Sequence, residues 1–113
     1  MDTLLVVLCT FPDTATARQL GTDLIERQLA ACVNLLPGAE SIYRWQGRTG
    51  NSSEVLAIFK TTDARYPAFA AALAAGHPYE VPEIIALRPE TVAESYLAWA
   101  AAACDPTPIR PPE

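Results

Sequence analysis

The chain has 113 residues, half of them apolar, and a net charge of −5 from 13 acidic and eight basic side chains. That is one domain's worth of chain, and at this size about 60–70 % of the unfolded surface is buried, so a partner subunit would add burial. The acidic balance, with Lys60 as the single lysine, argues against nonspecific nucleic-acid binding and against docking to an anionic membrane, and no apolar run approaches the ~20 residues that span a bilayer.

The opening MDTLLVVLC has no basic leader region and only a short apolar stretch, Leu4 to Cys9, so a cytoplasmic protein is the expectation. Thr3–Thr10 is a continuous β-type run, as in a central strand. Asp13 can cap a helix with apolar positions Ala17, Leu20, Leu24 and Ala31, ending near Ala31. Cys32–Leu36 begins a second strand, bent at Pro37-Gly38 and resumed over Glu40–Gln46. Gly47–Asn51 reads as the turn to a third strand, Glu54–Thr62.

Asp63 opens a second helix to Ala75 with Tyr66, Phe69 and Leu73 as its stripe. Pro67 falls in its first turn and Gly76 fits a C-terminal cap. Val81–Arg88 is a fourth strand. Thr91–Cys104 is a last helix with a stripe of Val92, Tyr96, Trp99 and Ala103. Residues 1–104 form one domain, and 105–113 make a proline-rich, flexible tail.

The order strand, helix, strand, strand, helix, strand, helix is α+β: a ferredoxin-like βαββαβ sandwich with a long β2–β3 hairpin and an extra C-terminal helix. Strands one and four are expected to be non-adjacent but to feed one end of the sheet. Two helices cover one face. The other is bare, with Tyr43, Trp45 and Val55 among residues that need a cover from the last helix or another subunit.

The candidate chemistry is sparse. The cysteines Cys9, Cys32 and Cys104 are odd in number and widely spaced, with no CxxC, so reduced thiols fit better than disulfides or a zinc knot. Cys9 ends strand one and His77 precedes strand four. A thiolate with an imidazole suits copper or zinc, whereas the same two residues also fit a packed thiol and a helix-end histidine. A third ligand would come from Glu80, Glu83, water or another chain. Cys104 sits near the tail, partly exposed. Lys60 either pairs structurally or faces an anionic ligand. The loop His77–Glu83, stiffened by Pro78 and Pro82, offers Tyr79, Glu80 and Glu83 as ligand groups or subunit contacts. Tyr43, Arg44 and Trp45 read as an interface.

Several long stretches together resemble the CutA family of divalent-cation tolerance proteins. They are VVLCTFPD (6–13), ERQLAACVNLLPGAESIYRWQG (26–47), EVLAIFKTT (54–62), HPYEVPEIIAL (77–87) and SYLAW (95–99). The resemblance implies a cytoplasmic homotrimer similar to PII signalling proteins, with the long hairpin reaching across to a neighbour. It implies a divalent cation as partner, copper in some members, with none required for folding, and no catalysed reaction. Cys9 and His77 match proposed copper ligands. Gly76 stands where some members carry a second histidine. Lys60, Tyr79, Glu80 and Glu83 match positions near the intersubunit cleft. The resemblance leaves two other readings: a signalling module holding a small anionic effector near Lys60 and Glu83, or a trimeric scaffold without ligand.

Overall fold

The computed structural model describes residues 3–106. The elements are β1 (Leu4–Phe11), α1 (Thr14–Glu26), β2 (Cys32–Trp45), β3 (Arg48–Thr62), α2 (Tyr66–Gly76), β4 (Ile85–Leu87) and α3 (Glu94–Ala103). One antiparallel sheet runs in the order β2-β3-β1-β4. This is the expected ferredoxin-like α+β arrangement, with the additional helix and the long hairpin. Most of the expected tail, residues 107–113, lies outside the described residues.

The order corrects one expectation. Each strand–helix–strand crossover skips one strand, so the two interleave and β1 and β3 become central. β1 and β4 are therefore direct neighbours, paired from Val6↔Leu87 to Leu8↔Ile85. β4 is also shorter than Val81–Arg88. Upstream of Ile85 the ladder stops, because Pro82 has no N–H and the Thr10 carbonyl is taken by His77.

Local chemistry sets the helix ends. Asp13 caps α1 as expected, its carboxylate accepting from the Thr16 N–H at 2.7 Å. The helix ends at Glu26, earlier than Ala31. Gln28 takes φ 57°, its N–H bonds the Ile25 carbonyl, and the Leu29 N–H bonds the Leu24 carbonyl. That pair of bonds is a Schellman cap with glutamine in the left-handed position, sealed by packing of Leu24 and Leu29 in the same core. α2 begins at Tyr66, after Arg65, with Pro67 in its first turn. Asp63 instead holds the Arg88 guanidinium through two bonds of 2.6 and 3.0 Å. Gly76 is the last residue of α2 and His77 the cap.

The hairpin turn is tighter than Gly47–Asn51. Gln46 and Gly47 have φ of 50° and 79°, the primed two-residue turn that matches strand twist. β3 accordingly starts at Arg48. Pro37-Gly38 bends β2 without ending it: the register shifts between Leu36 and Ala39, and Gly38 takes φ 85°.

α1 and α2 close over one face of the sheet. Their core joins Val7, Cys9 and Phe11 of β1 with Val55, Ala57 and Phe59 of β3, Leu24 of α1, and Phe69 and Leu73 of α2. Val55 is thus buried here and does not belong to the bare face. α3 covers only one end of the second face, where Leu4, Ala31, Ala100 and Cys104 form a separate cluster. Cys104 is buried, not partly exposed. The expected last-helix stripe is half met: Val92 and Ala103 pack on this cluster together with Leu97, Ala100 and Cys104, while Tyr96 and Trp99 are exposed.

The rest of the second face is open. Register places Asn34, Ile58, Leu8 and Ile85 in one row, and Leu36, Leu56 and Thr10 in the next. Leu36, Ile85 and Leu87 are each close to half exposed. Beyond the body, the hairpin continues from Ala39↔Glu54 to Trp45↔Arg48, and among the described residues no third strand pairs with it.

Candidate functional site

Cys9 lies on the helix-covered face of β1, opposite Ala57, and is fully buried as a free thiol. Phe11, two residues on, shares that face and stacks on the His77 imidazole at 4.6 Å. α2 delivers His77 to this point, because Phe69 and Leu73 pin the helix to the sheet and its last turn ends over β1. His77 Nε2 bonds the Thr10 carbonyl at 2.8 Å, and Nδ1 accepts from the Tyr79 N–H at 3.0 Å. A carbonyl only accepts and a backbone N–H only donates, so these partners set the Nε2–H tautomer.

Pro78 turns the chain so that Tyr79 lies against His77, with ring centroids 4.8 Å apart. The Tyr79 hydroxyl donates to Glu54 at 2.5 Å. Glu54 is 8 % exposed, at the point where β3 enters the body. Burial raises the Cys9 thiol to about 12, and the nearby Glu83 and Glu54 carboxylates add to the rise. Burial, followed by the bond to Glu54, raises the Tyr79 phenol in the same direction. The result is a small, partly buried cluster with a negative field, in which the thiol and phenol keep their protons.

The structure therefore brings together Cys9, His77 and Tyr79, with Glu83 near enough to act on the thiol. Glu80 is exposed in the same loop. Glu54 is the member of this cluster that the sequence alone did not single out. The available signal was an acid at the head of an apolar strand, facing the loop's tyrosine. Among the described residues, no group of three or more His, Cys, Asp or Glu side chains is placed to hold a metal ion by itself.

Lys60 is not part of this cluster. It stands on the open face opposite Cys32 and Val6, and its ammonium donates to the Asn34 amide oxygen. Along β3 it is about 20 Å from Glu54. Cys32, half-buried, has its sulfur 3.4 Å from the Tyr96 hydroxyl. Arg44 and Trp45 lie on the hairpin arm, exposed. Tyr43 is on the same arm, its ring lying over Gly50 of the facing strand, and it is close enough to influence Tyr79 electrostatically.

The CutA1 divalent ion tolerance protein family model matches residues 5–103. The chain is 46 % identical over 94 residues to the divalent-cation tolerance protein CutA of Thermus thermophilus, covering 83 % of this chain and 91 % of that protein. It is similar to the solved structure of the Thermus thermophilus Cut A1 protein at a TM-score of 0.87 and 42 % identity, over 90 % of this chain and 99 % of that one. The structure of CutA from Xylella fastidiosa superposes at a TM-score of 0.88 and 36 % identity, over 91 % and 99 % of the two chains.

Proposed function

Because the chain belongs to the CutA1 divalent ion tolerance family, we propose that it works as a homotrimer that binds a divalent cation, copper in particular, at the end of β1. The observation that carries the reading is the convergence of Cys9, His77, Tyr79, Glu54 and Glu83 at one place in the fold. A thiolate sulfur and an imidazole nitrogen are the donors copper prefers. The two carboxylates that raise the Cys9 thiol would favour a cation in place of its proton.

The donor chemistry fits, but the cluster as it stands is closed. Both ring nitrogens of His77 are engaged inside the chain. Ligation at Nδ1 would cost the bond from the Tyr79 N–H, so the 77–79 loop is the part that must yield. Gly76 supplies no donor, which leaves a third ligand to Glu83, Glu54, water or a neighbouring chain.

Trimer formation is supported by what a single chain leaves uncovered. The open face with Leu8, Leu36, Ile58, Ile85 and Leu87 is too apolar for solvent, and a two-stranded arm carrying Ile42, Tyr43 and Trp45 is marginal without packing. The reading is of a binding protein. The sole histidine is bonded to backbone groups, not to a nucleophile. Sedimentation of the purified protein tests the trimer, and copper titration of the Cys9 and His77 variants tests the site.

A further inference from the structure

One residue of the Cys9 cluster fastens two of its donors at once. The Tyr79 N–H donates to His77 Nδ1 at 3.0 Å, and the Tyr79 hydroxyl donates to Glu54 at 2.5 Å. The second ring nitrogen, Nε2, is held by the Thr10 carbonyl, and Thr10 is fixed in a central strand opposite Leu56. Tyr79 stands instead between α2 and β4, in neither helix nor strand. Of the two partners of the imidazole, Tyr79 is therefore the one free to leave.

Glu54 is where the hairpin arm meets the body. β1 pairs with β3 as far as Phe11↔Val55, and Glu54 is the next residue outward. Opposite it, β2 resumes its register at Ala39 after the shift from Leu36, with Gly38 at φ 85°. The arm thus joins the body through an irregular neck, and bulged ribbons of this kind bend and twist locally. The Tyr79 phenol braces that neck from outside the ladder, on a carboxylate that is only 8 % exposed.

We propose that Tyr79 is a latch, which holds the empty cluster shut and the hairpin arm in place, and which a cation taking the His77 nitrogen releases from both. The inference rests on the copper reading given above. To free Nδ1, the Tyr79 N–H must leave the imidazole. The Tyr79 ring packs on that same imidazole at 4.8 Å, so backbone and side chain leave together and the phenol is drawn off Glu54. The buried carboxylate then exchanges a neutral hydroxyl for a neighbouring positive charge, which compensates its desolvation better. The arm, which carries Tyr43, Arg44 and Trp45, loses its brace in the same movement. The coupling is reciprocal: whatever the brace adds to the order of the arm, it subtracts from cation affinity.

The test uses the full chain and Tyr79→Phe, which keeps the ring and the N–H and deletes only the phenol. Without metal, hydrogen–deuterium exchange over residues 37–56 is expected to quicken severalfold in this variant. Copper under reducing conditions is expected to quicken the same peptides in wild type and to add nothing in the variant. Copper affinity is expected to rise severalfold in Tyr79→Phe, whereas a merely structural phenol would lower stability without tightening binding. Glu54→Gln keeps an acceptor for the phenol and is expected to hold arm exchange near wild type while weakening copper binding. The wild-type comparison with and without copper decides the matter even where a variant does not fold. A wild type that binds no copper defeats the site reading and the latch with it. Copper binding that leaves arm exchange unmoved, or a Tyr79→Phe affinity equal to or below wild type, defeats the latch alone.

Discussion

The hydroxyl of Tyr79 donates to the carboxylate of Glu54, 25 residues earlier in the chain, at 2.5 Å. This bond ties the loop after α2 to the base of the hairpin arm, and so couples the two segments that flank the Cys9 cluster. Removing the hydroxyl leaves a buried carboxylate without its donor. Tyr79→Phe should therefore destabilise the fold by about 1–3 kcal/mol. Glu54→Gln keeps an acceptor and should cost less. Urea unfolding of both variants checks the order.

Acid should weaken the tie between Asp63 and Arg88. The Arg88 guanidinium holds the Asp63 carboxyl below the usual carboxylate range. A depressed folded-state value means the contribution is fully present above the unfolded carboxylate value, about 3.9, and is lost as pH falls through the lower folded one. Wild type should therefore be more stable than Asp63→Asn at neutral pH, and the two should converge in strong acid. Thermal melts between pH 7 and pH 2 read this directly.

Gly76 is constrained by contact, not by backbone angle. A Cβ there would lie 2.8 Å from Leu20 Cδ1, while helix propensity favours alanine by roughly 1 kcal/mol. Gly76→Ala should then give little or no net stabilisation in the native background. In a Leu20→Ala background the same change should become stabilising, and a double-mutant cycle by thermal unfolding isolates the difference.

Much of the fold was legible because it depends on periodicity and punctuation. Asp13 before α1, Pro67 in the first turn of α2 and the bend at Pro37-Gly38 all act where their local chemistry predicts. The misses are tertiary. Glutamine gives no sequence signal for a left-handed cap, yet Gln28 ends α1 because Leu29 must fold back on Leu24. Val92 and Ala103 of the expected last-helix stripe do pack inward, but Tyr96 and Trp99, large and apolar, do not, because the contact surface on Leu4 and Ala31 admits Ala100 and Cys104. At the site, Cys9 and His77 were visible as residue types. The engagement of both His77 nitrogens and the buried Glu54 required the loop geometry.

The open face should report the assembly. Ile58 sits in the middle of it, paired with Leu8 and Asn34 and only partly buried in the single chain. A charge there is solvated in an isolated chain but unpaired inside an intersubunit contact. Ile58→Glu should shift the sedimenting species from trimer to monomer while retaining the far-ultraviolet spectrum of the fold.

The central claim concerns the cluster at the end of β1, and calorimetric titration with copper under reducing conditions tests it most directly. Wild-type protein should bind copper saturably, and both Cys9→Ser and His77→Ala should weaken binding by tenfold or more, about 1.4 kcal/mol. Unchanged affinity in both variants, each shown to be folded, would contradict it.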